Sequence, residues 1–567
     1  MVIRSPDPPP FGARNPKTLA NPPNTFPHLW LHPSVTLRSA VSLCNPPETP
    51  AISSSSAKRA PRSLLVPALS SPRMPLPSEQ IPALALWEPL HRDDWGPAEA
   101  RHFLERAGFA ATGETVEEAL DLGPTGAVER WFLETVPFGI PGWIEEKFER
   151  REELREKAKE AESREERRPI YRERNQIGRE AMNELAFEWL LRASRPENGF
   201  RAKWELFLSD VWVVGQRAVG EPEWMASYWR ALGEKSDLPY LRFCKDFSRE
   251  PAMVRYLDLH RNSKRNPNEN FARELLELFA LGEGNYTEGD IKEAARAFTG
   301  RRLWGGEYRE VERQFDDGEK TVFGKTGPWD GDDVIDLVFE QPAARTFLPS
   351  EAIRFYLTRS PLPPERLRLL GDLWAEEGFR LDALRRRLFA SRAFYAPDFR
   401  GNRIKSPFEF YLGTLRRFGL DPVPIPLHAL RPLRDMGQEV FEPPNVRGWI
   451  GGEAWINAGK LAARRRFAAD LFSEIDEDRL NADDRQRLER ERKRGNGRHR
   501  LDRNDLLRET GRSPGRILRY IEEEILAAPI EPGVRRQLRD YLGPNPGSAR
   551  IETALVTLLQ SPQYQLS

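Results

Sequence analysis

From Trp87 onward, apolar residues recur at spacings of three and four. Only a helix brings residues i, i+3, i+4 and i+7 to one face, because a strand repeats every two residues. The spacing predicts helices over 98–107, 116–122, 200–214, 224–232, 238–247, 251–259, 332–339, 343–358, 364–377 and 381–390, with a last helical unit from Pro514 onward. A long helical stretch is expected over 144–194. Its first half, 145–168, is almost entirely charged and reads as a solvated or loosely packed helix, with an arm as one form of it. Its second half turns amphipathic at Met182, Leu185, Ala186, Trp189 and Leu190. Thr287 and Asp290 form a short capping box before the stripe Ile291, Ala294, Ala295 and Phe298, and Gly300 stops that helix. One segment departs from the pattern: Gly305-Gly306, Asp317-Gly318 and Gly324 mark a loop or hairpin excursion near 303–327. The expected fold is therefore all-α or nearly so, a multi-helix globular bundle with that excursion. The 15 Trp and 30 Phe residues imply a large, well-filled core.

Four regions follow. Residues 1–80 are rich in Pro and Ser, hold only Asp7, Glu48 and Glu79 as acids, and lack periodicity. Such a segment buries too little apolar area to offset its ordering entropy and reads as a disordered leader. Two other readings stay open. One is a targeting peptide, although the run from Leu64 to Leu69 is short and broken by Pro67. The other is translation starting near Met74. Residues 85–480 form the helical core. Residues 481–512 read as a charged insertion, exposed and mobile, and 513–567 as a C-terminal helical unit packing on the core.

Composition narrows the function. Lys plus Arg and Asp plus Glu both number 87, which argues against a dedicated nucleic-acid binder. No stretch reaches the roughly 18 to 20 apolar residues of a membrane span. Cys44 and Cys244 are too few for a disulfide framework or a cysteine zinc site. Phosphate-loop, His-Glu-x-x-His and Gly-x-Ser-x-Gly motifs are absent. Asp330, Asp332, Asp333 and Asp336 lack EF-hand spacing and suit a helix N-terminus. His91, His102, His260 and His428 have no second His or Cys at a metal spacing. No cofactor is expected from these patterns.

Two segments could carry chemistry. In the first, from Asn262 to Phe279, Asn266 or Asn268 can cap a helix whose one side holds Asn270, Arg273, Glu274 and Glu277 and whose other side holds Phe271, Leu275, Leu278 and Phe279. The face is either solvated and laced with ion pairs or a buried cluster in which Arg273 holds two carboxylates for acid–base work or a hard cation. Asp258, Asn262 and Glu269 lie within reach along the chain. In the second, Met436 to Asn457, Pro443-Pro444 excludes helix. Asn445, Gly448, Gly451 and Gly452 interleave there with Trp449 and Trp455. That loop either stacks a planar ligand or closes over the core with its own indoles.

Several motifs resemble those of the domain-of-unknown-function 1800 family. They are Asn268-Glu269-Asn270-Phe271-Ala272-Arg273-Glu274-Leu275, then Tyr286-Thr287-Glu288 with Ala294 to Gly300, then Asp317 to Gly324, and Pro443 to Trp449 with Gly451-Gly452. The segment from Ala100 to Phe109, with His102, is similar to the family's opening helix, and the resemblance spans roughly 95–567. It implies a bacterial, mostly helical protein with no established activity, often exported and often encoded beside a protein of another unassigned family, number 1501, which would supply a protein partner. It leaves the compartment open, since a start as written or at Met74 reads as cytoplasmic. Where the family pattern implies a Trp-His-Asn-His-like run this chain has Leu208-Ser209-Asp210-Val211, and where it implies a His before the Asp-Gly loop it has Phe315. A divalent metal in relatives would lose those ligands here.

Two functions follow. The first is a binding or assembly module built on a buried Asn/Arg/Glu cluster and the Gly/Trp loop. The alternative is a hydrolase with Glu274 or Glu277 as general base, Arg273 positioning an anionic substrate and Trp449 packing on it, its metal site altered or lost. Oligomeric state is not legible.

Overall fold

The computed structural model describes residues 76–133, 138–495, 497–502, 507–508, 510–526 and 530–567. The leader reading, with Cys44, lies outside the described residues except for 76–80. Those five residues include a short turn in which the backbone N–H of Ser78 donates to Asp398.

The described chain is mainly α. Helices at Pro97–Arg106, Gly113–Val128, Gly199–Val211, Pro222–Glu234 and Tyr240–Phe247 precede the excursion. Those at Gly331–Phe339, Pro342–Tyr356, Pro364–Glu376, Leu381–Ala390 and Pro407–Arg417 follow it. Their apolar stripes converge on one core. Phe103, Trp131, Phe132 and Phe200 interlock there, and Trp204 stacks near Tyr356 and Phe389. Each large side chain moved from water to this interior contributes about 1.5–3 kcal/mol. Helices Ser548–Leu559 and Pro562–Gln565 close the chain and add Leu555, Leu559 and Tyr564 to the same core.

The excursion is two antiparallel hairpins. Arg301–Trp304 pairs with Glu307–Glu310, and Lys320–Val322 with Lys325–Gly327. Each turn has two central residues at positive φ, Gly305-Gly306 in the first and Phe323-Gly324 in the second. That conformation matches the twist of the flanking strands, so the glycines set the hairpins locally.

The helical stretch expected over 144–194 is broken. It is two helices, Gly142–Glu160 and Arg164–Ser194, packed side by side, and the Ser163 hydroxyl caps the second by accepting from Glu166 N at 3.2 Å. The charged half is also not merely solvated. Ile144, Leu154 and Ala158 are buried, and so is Arg151, whose guanidinium reaches Glu221 and Glu223 at 2.6 Å and the carbonyl of Arg174 at 2.8 Å. A guanidinium with such partners is tolerated in an interior, and charge-based patterning misses it. Within the charged segment 481–512, Ala482–Lys493 is helical and rests Leu488 on Val423, Ile425 and Leu480.

Charge also enters the core at Glu409, in the Pro407–Arg417 helix. Lys203 Nζ lies 2.8 Å from Glu409 and donates to the carbonyls of Arg106 and Gly108. Arg403 lies 3.6 Å from the same carboxylate. The buried Arg106 guanidinium donates to the carbonyls of Tyr356, Leu357 and Phe399.

The capping box at Thr287 is present. Its hydroxyl accepts from Asp290 N at 3.2 Å, and Asp290 accepts from Thr287 N at 2.9 Å. Thr287→Ala is expected to destabilise the protein by about 1 kcal/mol, measured as a lower midpoint in urea. An unchanged midpoint would show that the box contributes nothing.

Candidate functional site

The motif residues are organised from Asn262, which is fully buried. Its amide donates to the Ala295 carbonyl at 2.7 Å, and its side-chain oxygen accepts from Asn268 N at 2.9 Å. Asn268 in turn accepts from Asn270 N at 2.9 Å, a local turn that leads into the helix; the N-cap itself is Glu269, without a side-chain cap, and neither Asn266 nor Asn268 takes that position. Asn270 is exposed and donates to the Leu257 carbonyl. Asp258 stands in the left-handed region at φ 54° and pairs with Arg261 at 3.3 Å.

The helix that follows is regular only over Asn270–Glu274. Leu275–Ala280 then widens into a π-helical turn. The wider turn carries Phe279 under Trp212, with centroids 4.3 Å apart, and the Phe279 carbonyl accepts from Tyr240 Oη at 2.6 Å. Trp212 Nε1 donates to that same Tyr240 hydroxyl at 3.0 Å. One added residue per turn is the local distortion that often marks functional helices.

The polar face of this helix differs from the buried cluster expected. Arg273, Glu274, Glu277 and Glu269 are half-buried, and only Asn262 is fully withdrawn from water. Arg273 does not hold Glu274 and Glu277 either: it pairs with Glu269 at 3.1 Å and Glu288 at 2.9 Å. The reason is positional. Phe271, Ala272, Leu275, Leu276 and Phe279 take the core side, so the opposite face is left at the surface, where Glu269 of the same helix start, Tyr286, Glu288 and the loop residue Arg447 supply its partners.

Glu277 instead accepts from Tyr286 Oη at 2.8 Å and pairs with Arg447 at 2.6 Å. Arg447 also reaches Glu283 at 2.8 Å. It belongs to the second motif, where Asn445 accepts from Arg447 N at 2.9 Å and forms the turn. The π turn and the Gly/Trp loop are therefore joined by one ion pair. Glu274 lies beside it. Burial, and next the charge of Glu277, raises its carboxyl above the ordinary value, while Arg447 and Arg273 lower it.

The loop keeps its indoles inside. Trp449 and Trp455 are buried, and Lys460 lies over the Trp455 ring at 5.1 Å. Ile450 between them is 69% exposed. Gly448, at φ 72°, sits directly on Asp210, where a β-carbon would collide with the carboxylate, and Trp449 N donates to Asp210 Oδ1 at 2.8 Å. Gly451 and Gly452 lie against the Arg359 guanidinium in the same way. These glycines are present because backbone must approach side chain closely.

Asp210 and Arg447 were missed as site residues by the sequence patterns. Both lie within motifs already singled out, Asp210 in the run noted for its lack of histidine and Arg447 as the one cation among Pro, Gly and Trp. Burial pushes the Asp210 carboxyl up to about 7, against the pull of the Trp449 N–H and Arg354. A carboxyl raised in the folded state binds a proton that the unfolded chain, near 3.9, has released. Stability conferred by that difference is therefore present in acid and lost as pH rises from about 4 to about 7. Asp210→Asn is expected to unfold at a higher temperature than the parent at pH 8 and at nearly the same temperature at pH 4. Parallel curves across that window would sink the assignment.

The residues at the other divergent positions are committed elsewhere. Ser209 Oγ donates to the Leu206 carbonyl at 2.8 Å, Val211 is buried, and Phe315 lies 5.0 Å beneath Lys320 Nζ. Among the described residues, no three His, Cys, Asp or Glu side chains converge to hold a metal ion. The groups present do not fit the divalent metal that the resemblance raises. Among the described residues no helix is long and apolar enough to cross a membrane.

The described chain is thus a mainly helical protein in which a π turn with a carboxylate face is tied to a glycine-tight tryptophan loop. The sequence model described as a protein of unknown function, DUF1800, matches residues 102–566, and the chain belongs to that family. Comparisons with curated proteins and with solved structures gave no significant match.

Proposed function

We propose that this protein is a binding or assembly module whose recognition surface is the rim where the π turn meets the Gly/Trp loop. The Arg447–Glu277 pair carries this reading: it fixes the loop to the helix at 2.6 Å while Arg447 remains 60% exposed. The exposed Ile450 stands three residues from Arg447 in the same loop, and an exposed apolar side chain beside charged groups is the usual anatomy of a protein contact. The partner to test is a protein of family 1501, since the resemblance implies that members of this family are often encoded beside one.

The test is calorimetric titration of that protein into the parent chain, Arg447→Glu and Ile450→Asp. Both variants are expected to bind at least tenfold more weakly, and Ile450→Asp, whose side chain lies in water, is expected to keep the parent's unfolding temperature. Unchanged affinity in both would remove the surface from consideration.

The second reading, a hydrolase, draws support from Glu274. Among the described residues its half-buried carboxylate has no hydrogen bond or ion pair, and its raised affinity for protons suits a general base. Under this reading Glu274→Gln abolishes turnover of an ester or amide panel without changing the fold. Arg273 then acts less directly than expected, because Glu269 and Glu288 already engage it.

A further inference from the structure

A cavity of about 570 Å³ lies in the space between the packed helices Gly142–Glu160 and Arg164–Ser194 and the charged helix Ala482–Lys493. None of the motif residues lines it. Its apolar wall is Trp143, Phe187, Leu191, Pro422 and Pro424. A smaller annex of about 210 Å³ shares Glu188 and Leu191 with it. The size is that of a site for a small organic molecule, and an apolar wall with a few placed polar groups is the usual make-up of one.

The polar groups define what would fit. Glu188 stands between Phe187 and the Leu191 turn, half-buried, and among the described residues its carboxylate has no hydrogen bond or ion pair. His499 also lines the cavity and is buried. Its Nδ1 lies 3.3 Å from the Asp421 carbonyl, so Nδ1 carries the hydrogen, and Nε2 is a buried acceptor with no partner. Glu188 and His499 Nε2 thus line one cavity as acceptors without a partner among the described residues, and such acceptors call for a donor. The cations nearby are mostly committed. Arg487 pairs with Glu184 and lies 5.9 Å over the Trp143 ring, and Arg494 pairs with Glu491 at 2.9 Å. Four carboxylates line the cavity against three guanidiniums.

We propose that this cavity binds an organic primary amine on an apolar body, its ammonium donating to Glu188 and His499 Nε2 and its apolar part resting on Phe187, Leu191 and Pro422. The electrostatics of the site agree. Burial, with the charges of Glu184 and Glu491, pushes the Glu188 carboxyl up to about 7 against Arg487, and burial lowers the His499 imidazole, leaving it neutral and able to accept. An arriving ammonium would return Glu188 to its charged form.

Tryptamine, tryptophol and indole-3-propionate share one ring system and differ in charge, so titrating each into the full chain at pH 7.5 isolates the role of the ammonium. Tryptamine is expected to bind at least tenfold more tightly than the alcohol, with the acid weaker still. Glu188→Gln is expected to erase that preference, and Leu191→Trp, which fills the cavity, to abolish binding of all three. Equal binding of amine and alcohol, or no binding of tryptamine at millimolar concentration, overturns the proposal on the parent protein alone, whatever the variants do. So does a Glu188→Gln protein that folds and keeps the parent's preference. Because the rim at Arg447 is untouched by these ligands and variants, failure here leaves the proposed recognition surface standing.

Discussion

Glu409→Gln is expected to lower stability by about 3–5 kcal/mol, the range found when one member of a buried ion pair is removed. The amide keeps the shape of the side chain and can still accept from Ser406 N, which the carboxylate holds at 2.7 Å. What disappears is the charge facing Lys203 and Arg403. Burial alone would raise the Glu409 carboxyl, but the attraction of Lys203 and Arg403, with the hydrogen bonds from Lys203 and Ser406 N, outweighs it and holds the group far below the usual carboxylate range. The same crowding of cations, added to burial, pulls Lys203 down to about 8 despite its partner. The pH window follows from the depressed carboxyl. Its contribution is whole above the unfolded value, near 4.3, and is lost as pH falls toward the folded one. The gap between parent and variant in urea should therefore be widest near neutrality and narrow progressively below pH 4. A loss under 1 kcal/mol at pH 7 would show that the interior tolerates the uncompensated cations. Removing Lys203 as well, by Lys203→Met, should recover part of the loss, because a matched pair replaced together leaves no orphan charge.

The second large effect is expected at Trp212. Trp212→Ala should destabilise the chain by about 3–5 kcal/mol, as truncation of a buried aromatic does. Here the truncation also reaches the candidate site. The indole stacks on Phe279 and donates to Tyr240, whose hydroxyl in turn holds the Phe279 carbonyl, so the π turn loses its stacking partner while the Tyr240 hydroxyl that holds it loses a donor. Amide exchange along Leu275–Ala280 should accelerate more than along Glu288–Ala297, which Trp212 does not touch in any ring contact or hydrogen bond described. Uniform acceleration of both would mean that the indole only fills space. Trp212→Phe, which keeps an aromatic surface, should restore most of the stability and leave the turn partly loosened, because the hydrogen bond to Tyr240 is missing.

These two positions differ in how far they could be read from the chain. Glu409 follows Ser406-Pro407 at the distance of a capping box, so its local role is written there. Nothing nearby indicates that Lys203 and Arg403 face the same carboxylate from other elements. Trp212 is one of many tryptophans, and its part in the π turn depends on Tyr240 and Phe279, far away in sequence. The helix break at Ala161–Ser163 was hidden by the unbroken charge around it, and Arg151 was hidden because a buried guanidinium looks like a solvated one. At the candidate site, the segments were legible and their burial was not. Periodicity separates the faces of the helix at Asn270 but does not say how deep the polar one lies. The structure leaves it half in water and moves the bridging role from Arg273 to Arg447.

The order of residues alone determined the helical class, because a period near 3.6 admits no other regular structure. It determined that the helical pattern breaks into a loop or hairpin near 303–327, because the glycines at 305, 306 and 324 suit tight turns, and the Thr287 cap, because its partners lie three residues apart; that the excursion is two hairpins, with Phe323 at positive φ, was not legible. Tertiary structure alone decided where charge could be buried, which carboxyls are raised or lowered from their ordinary values, and that Gly448 sits on Asp210. Those outcomes depend on the field and the space made by elements distant along the chain, and neither has a local signature.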